Sequence, residues 1–174
     1  VIVISSHSSF SALYLSKKLA ERKVNPLVIV WGTTILTGNK TGSTSVQISS
    51  IREQVDIATV PQVRINEGLT VCRNLFGDRF NKREGLLAIA LSNLNPQNHL
   101  GIALCNLTRI ENGEIWEQSL NITPSVARLL EELDSERLKI ANALNIKVRN
   151  IFEHFSLFPG VVSGVGFDPG QDEK

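Results

Sequence analysis

Asn95 and His99 are four residues apart in a segment, 93–99, that is rich in side-chain amides. Imidazole is the side chain that exchanges protons most readily near neutral pH, so His99 is a candidate acid or base. Pro96 is typical of a first helical position and predicts that Asn95 is the N-cap. A spacing of four places Asn95 and His99 on one helical face. The alternative is structural, with Asn95 only capping the helix and His99 packed or facing water.

Serines surround a second histidine in Ser5-Ser6-His7-Ser8-Ser9. The sequence offers this cluster neither an acidic partner nor the glycine-flanked elbow of a serine nucleophile. Helix capping after a strand explains the serines. Ligand contact from this loop is the second interpretation, since the carboxyl ends of parallel strands carry binding sites.

The elements expected to position these groups form an α/β pattern. Val1–Ser5 and Leu27–Trp31 predict buried strands, and the helix between them completes a βαβ unit with parallel strands. Leu86–Leu91 is an uninterrupted apolar run that predicts another buried strand. Its end would open into a polar crevice lined by amides and His99, with Asn93 and Asn98 as candidate substrate-binding residues.

Between these strands the pattern changes. Segments 33–37, 44–48 and 55–60 are rich in Thr, Val and Ile and predict an antiparallel extension or meander, with a turn at 38–42. A helix is expected from Glu67 to about Phe80, with Cys72 on its inner side.

After Asn95 the periodicity is helical. The pattern predicts helices over Leu100–Ile110, from Thr123-Pro124 to about Leu144, and over Val148–Phe158. The tail from Pro159 has no periodicity. The change near Asn95 is the candidate domain boundary, which divides the chain into 1–94, 95–158 and a flexible tail, 159–174.

Composition excludes several classes of protein. The 174 residues are 42% hydrophobic and 20% charged, with a net charge of +1 and interspersed signs. The sequence contains neither a basic stripe that would predict nucleic-acid binding nor an apolar run long enough to predict a membrane span. Cys72 and Cys105 lack the spacing of a metal or redox motif, so no metal is expected, and both are predicted to be reduced core thiols of a cytoplasmic protein.

The chain begins with an apolar strand and contains no methionine. We expect it to be an interior segment of a longer polypeptide. The Gly38–Ser43 stretch lacks the lysine of a phosphate-binding loop, and Gly164-Val165-Gly166 lacks the third glycine of the dinucleotide fingerprint. That fingerprint is therefore absent from these 174 residues.

The sequence resembles the opine dehydrogenase family, the octopine and nopaline dehydrogenases, over residues 1 to 158. The resemblance is carried by Trp31-Gly32-Thr33-Thr34, by Ser92-Asn93-Leu94-Asn95-Pro96-Gln97-Asn98-His99, by Leu104-Cys105-Asn106 and by Glu153-His154-Phe155. The Asn-x-x-x-His element, Asn95 to His99, is its most specific part.

The resemblance implies that residues 1–94 are the C-terminal part of a Rossmann-like NAD(P)-binding domain with a mostly parallel sheet. It implies that residues 95–158 are the start of an all-α domain. It implies NAD or NADP as cofactor, amino acid and 2-oxo acid as substrates, and a possible homodimer. His99 and Asn95 would be catalytic, and Thr33, Thr34, Ser6 and Ser8 would contact the cofactor. The first βαβ unit would precede Val1, and the family's aspartate partner of the histidine would follow Lys174, so the segment alone is expected to be inactive.

Three alternatives stay open. A related dehydrogenase of hydroxy acids would share the same layout but would need no amine. A non-catalytic module would bind the dinucleotide without turnover. A serine hydrolase would use the loop at Ser8.

Overall fold

The computed structural model describes residues 1–5 and 9–156, and in them strands give way to helices. The strands are β1 (Ile2–Ile4), β2 (Val28–Trp31), β3 (Leu36–Lys40), β4 (Val46–Ile51), β5 (Val55–Val60) and β6 (Phe80–Lys82). The helices are α1 (Ser9–Glu21), α2 (Ile65–Phe76), α3 (Leu86–Leu91), α4 (Asn95–Cys105), α5 (Leu107–Glu111), α6 (Pro124–Ala143) and α7 (Ile151–Ser156), with short 3-10 turns at Gln62–Arg64 and Ser119–Asn121. Two compact units divide between Asn93 and Leu94. The tail predicted for 159–174 lies outside the described residues.

The first unit is built on a four-stranded sheet in the order β1-β2-β5-β6. β1 and β2 are parallel, with Ile4 opposite Val30, which confirms the predicted βαβ unit. β5 runs antiparallel to β2, and β6 runs parallel to β5. Two of the three pairings are thus parallel, and the sheet is mixed.

All four residues of β2 are buried, because helices cover both faces of this sheet. Ile29 and Trp31 pack with Cys72 on the side of α2, whereas Val28 and Val30 pack on the opposite side with α1 and α3. Alternate residues of a strand point to opposite faces, so a wholly apolar strand needs cover on both. Each fully buried side chain of this size contributes about 1.5–3 kcal/mol. This layering confirms the α/β fold of the first part of the chain.

The prediction of a strand at Leu86–Leu91 is wrong, because these residues form helix α3. The run consists of Leu, Ala and one Ile, and Leu and Ala are among the strongest helix formers. A buried helix and a buried strand of this length share the same apolar pattern, so periodicity does not separate them. Leu86 and Ile89 pack on Val28, Val30 and Ala58. The amide-rich segment therefore follows a helix, and the inference of a crevice at the end of this strand fails.

The threonine-rich region also differs from the prediction. β3 and β4 form a separate two-stranded sheet rather than an extension of the main one, and their turn lies at 41–45. A Cβ atom at Gly38 would lie 2.3 Å from the Gln47 carbonyl oxygen, so glycine allows the bulged strands to approach. β5 does join the main sheet and lies inside it.

Helix α2 is shorter than predicted. It ends at Phe76, and Gly77 follows with a φ of 81°, a conformation that favours glycine. Phe80, which was expected to be helical, is instead buried in β6. Cys72 is buried on α2 as expected, but Cys105 is exposed, so the prediction of two core thiols is wrong for Cys105.

The second unit, from Leu94 onward, contains only helices and their connecting loops within the described residues, which confirms the predicted helical segment. Leu94, Ile102, Val126, Leu130 and Ile151 form its buried core. The long helix α6 begins as predicted, with the Thr123 hydroxyl accepting a hydrogen bond from the Val126 amide. None of the described helices combines the length and apolarity needed to cross a bilayer.

Candidate functional site

Helix α4 carries the predicted Asn95–His99 pair in its first turns. Asn95 is the first helical residue, and Pro96 occupies the first turn as expected. The N-cap position is Leu94 rather than Asn95, which corrects the capping role predicted for that asparagine. Asn95 and His99 are both exposed and, four residues apart on one helix, share a face.

The ring of His99 is hydrogen-bonded to an amide that no sequence motif indicated. Gln118 Nε2 lies 2.6 Å from His99 Nδ1. The amide can donate through its nitrogen and accept through its oxygen, so the roles of Gln118 and Nδ1 depend on the tautomer of the ring. The contact uses Nδ1, so Nε2 is the ring nitrogen that remains for a ligand.

The loop that carries Gln118 is fixed on both sides. Trp116 and Ile122 pack against the core of the helical unit. Asn121 accepts a hydrogen bond from the Arg109 guanidinium and donates one to the Glu117 carbonyl. These contacts hold the backbone on either side of Gln118.

Asn98 is a buried amide beside this pair. It is 8% exposed, and its Oδ1 atom has no hydrogen-bond partner within the described residues. A buried acceptor without a donor costs about 1–3 kcal/mol, so this atom could take a hydrogen bond from a ligand. Asn93, the other predicted substrate-binding amide, is half-buried at the end of the first unit.

A buried ionic network joins α4 to two other helices. Gln97 Nε2 donates to Asp134 Oδ1 at 3.1 Å, and Asp134 Oδ2 accepts from the Ile151 amide at 2.8 Å. Arg137 pairs with Asp134 at 2.7 Å and donates to the Arg149 carbonyl at 2.6 Å. The network therefore links α4, α6 and the start of α7.

The threonines predicted to contact a cofactor lie in the first unit, just after β2. Thr33 and Thr34 are half-buried, and the Thr34 hydroxyl donates to the Leu36 carbonyl at 2.8 Å. Arg52 Nη1 donates to the Thr34 carbonyl at 3.2 Å, and partial burial lowers the pKa of Arg52. The Thr34 hydroxyl thus stabilises the turn, and the Thr33 hydroxyl is the stronger candidate for binding a ligand. Ser6 and Ser8 lie outside the described residues.

The residues after β2 offer neutral hydrogen-bonding groups at the end of the strand. Gly32 donates to the Asp56 carbonyl, which places Thr33 beside the start of β5. A hydroxyl and backbone amides are suited to a ribose or a carboxamide, which need hydrogen bonds and carry no charge. Nothing in the residues after β2 resembles the glycine-rich loop that binds a pyrophosphate.

The described residues contain no candidate metal centre. No group of three or more His, Cys, Asp or Glu side chains there is arranged to hold a metal ion. His99 and the amides around it can form hydrogen bonds, and the imidazole can also transfer a proton.

Comparison with known proteins places these helices in a family. Residues 82–158 match the family model of the NAD/NADP octopine/nopaline dehydrogenase, alpha-helical domain. The chain is also 27% identical over 157 residues to an opine dehydrogenase from Arthrobacter sp. (strain 1C), which covers 89% of this chain and 44% of that protein. The chain thus spans less than half the length of this relative. The resemblance seen in the sequence is confirmed for residues 82–158, which match the helical domain of the octopine/nopaline dehydrogenases.

Proposed function

We propose that this chain is part of an opine dehydrogenase that uses NADH or NADPH to join an amino acid to a 2-oxo acid such as pyruvate. The observation that supports this most strongly is His99 in the family-matched segment, exposed and oriented by Gln118. The overall reaction balances as amine, 2-oxo acid, NAD(P)H and one proton giving the secondary amine, NAD(P)⁺ and water.

His99 handles the proton of this reaction. Its Nε2–H donates to the carbonyl oxygen of the 2-oxo acid, which makes the carbonyl carbon more reactive toward the amine. As the C–O bond breaks, the imidazolium form of the ring, protonated on both nitrogens, supplies one proton of the water that leaves, and the amine nitrogen supplies the other. General acid catalysis of this kind typically contributes about 10²–10⁴-fold to the rate.

The amides near His99 bind and orient the substrates. Asn95 lies on the face of α4 that carries His99 and hydrogen-bonds the substrate or the imidazole. The buried Oδ1 of Asn98 is an acceptor suited to a donor such as the amino group of the amino acid. Asn93 is a further hydrogen-bonding group for substrate.

The nicotinamide cofactor, when bound, supplies the hydride that reduces the imine carbon. Thr33 would contact the ribose or carboxamide of this cofactor from the loop after β2. Thr34 and the serines Ser6 and Ser8 are the secondary candidates on the cofactor side.

The test is oxidation of NADH or NADPH by the full-length protein with pyruvate, in the presence and absence of a panel of amino acids. We expect oxidation that depends on both the 2-oxo acid and an amine, with the secondary amine as product. Oxidation without amine would instead identify a hydroxy-acid dehydrogenase. Dinucleotide binding without oxidation would identify a binding module, and ester hydrolysis lost in Ser8→Ala would identify a hydrolase.

A further inference from the structure

The ribbon formed by β3 and β4 has one apolar side and one polar side. Residues that lie directly opposite each other on paired strands point to the same side of a sheet. One side of this ribbon carries three such pairs: Leu36 with Ile51, Gly38 with Ile48, and Lys40 with Val46. We call the side chains of Leu36, Val46, Ile48 and Ile51 the apolar face.

A β-bulge brings Ile51 onto this face. The pairing shifts by one residue beside Thr37, which leaves Ser49 as an extra residue of β4. The Thr37 hydroxyl contacts the hydroxyls of both Ser49 and Ser50, so both serines lie on the polar side. Strict alternation would turn Ile51 to that polar side as well. The bulge therefore extends the apolar face to the base of the ribbon.

The apolar face is exposed. Its side chains belong to residues whose relative exposures are 45% for Leu36, 66% for Val46, 52% for Ile48 and 60% for Ile51. Within the described residues, β3 and β4 pair only with each other. A lone two-stranded ribbon is marginally stable in water, and a contiguous apolar surface is typical of a protein–protein contact. The ribbon therefore needs an apolar partner surface.

We propose that the apolar face binds the same face of a second copy of this chain, with the two ribbons stacked antiparallel about a two-fold axis. A two-fold contact uses one patch on both copies, so an apolar face becomes its own complement. Stacked sheets interdigitate the side chains of their inner faces. The polar sides of both ribbons, which carry Thr37 and Gln47, stay in water.

Charges at the two ends of the ribbon favour this partner and this orientation. Lys40 lies at the turn end, opposite Val46, and Glu53 follows β4 at the other end; both are exposed. An antiparallel stack brings Lys40 of each copy toward the Glu53 end of the other copy, whereas a parallel stack brings like charges together. Ile48 lies in the middle of the face, close to the two-fold axis, where it meets its own copy.

The test measures self-association of the full-length protein by sedimentation velocity. We expect the wild type to dimerise. Ile48→Lys should raise the Kd of the dimer at least about 100-fold, because like charges meet at the axis. Gln47→Lys is the matched control: it adds the same charge at the next residue, on the polar side, and should leave the Kd unchanged. Both positions are exposed, so both variants should fold, which circular dichroism checks.

Mixing two variants tests the symmetry of the contact. Ile48→Glu alone should be as monomeric as Ile48→Lys, and an equimolar mixture of the two should restore the dimer, because opposite charges then meet at the axis. The orientation has its own test. Lys40→Glu should weaken the dimer a few-fold, and adding Glu53→Lys to the same chain should restore it.

A monomeric wild type would overturn the proposal, since the apolar face would then be covered by another part of the full-length protein or by nothing. A dimer whose Kd is the same in Ile48→Lys and the wild type would overturn it too, because the contact would lie elsewhere. Failure of the Ile48→Lys and Ile48→Glu mixture to dimerise would exclude the two-fold contact. None of these measurements depends on catalysis, so their outcome is separate from that of the proposed function.

Discussion

At the scale of single residues, the helical unit depends on one carboxylate that is 3% exposed. Asp134 accepts hydrogen bonds from Gln97, Arg137 and the Ile151 amide, each on a different part of the unit. Arg137 is 7% exposed and has its charge balanced by Asp134. Breaking a buried pair is costly because the charge that remains is buried without compensation.

Asp134→Asn should therefore lower the free energy of unfolding by about 3–5 kcal/mol. The variant keeps the size of the side chain and removes its charge, and urea denaturation measures the loss. Glu132→Gln is the control, because it makes the equivalent change on the exposed side of the same helix and should cost no more than about 0.5 kcal/mol. Equal midpoints for the two variants would contradict this account of Asp134.

Residue types and spacing single out His99 as a candidate site residue, but they do not indicate Gln118, its hydrogen-bond partner. His99 stands out because it follows Asn95 by four residues at a helix start. Gln118 lies nineteen residues further along, in a loop, and reaches the ring only because Trp116 and Ile122 fold back onto the core. The sequence does not predict the burial of Asp134 either, since a carboxylate on a helix is usually exposed to solvent.

At the scale of elements, packing decides between helix and strand where the apolar pattern fits both. Apolar periodicity predicted β1, β2, β5 and α6, because their patterns fit one element type only. The prediction failed at Leu86–Leu91, because this apolar run fits a buried helix as well as a buried strand. The run forms helix α3, which packs on the apolar side chains of β2 and β5. Apolar periodicity also missed β6, which depends on pairing with β5, far from it in sequence.

The packing of α2 on β5 depends on a glycine, which gives a test at this scale. A Cβ atom at Gly68 would lie 2.6 Å from Thr59 Cγ2, and Thr59 is 2% exposed. Gly68→Ala should destabilise the protein by about 1–3 kcal/mol despite the better helix propensity of alanine, because overpacking forces the helix away from the sheet.

Thermal or urea unfolding of this variant measures the effect. Gly42→Ala serves as the control, because a Cβ atom there would lie in ordinary contact, 3.6 Å from Ser45 Cβ, in an exposed turn. A Gly68→Ala protein as stable as the wild type, or more stable, would show that α2 does not pack this closely on β5.

At the scale of the whole molecule, the chain joins an α/β unit to a helical unit, and the family match covers the second. The sequence predicted this order of fold types because α/β alternation and helical periodicity differ strongly. The assignment of 1–94 to a dinucleotide-binding domain stays a prediction, as do the homodimer and the cytoplasmic location. The relative from Arthrobacter is more than twice as long as the stretch matched here, so the reaction has to be tested in the full-length protein.

The most direct test of the proposed chemistry is the rate of NAD(P)H oxidation by His99→Ala, with pyruvate and the best amino acid of the panel. We expect kcat to fall by about 10²–10⁴-fold, because the variant loses the group that donates to the carbonyl oxygen and supplies the proton. Leu104→Ala, an exposed change on the same helix, should retain the wild-type rate. A His99→Ala protein that is folded and oxidises the cofactor at a near-normal rate would contradict the assignment of proton transfer to this imidazole.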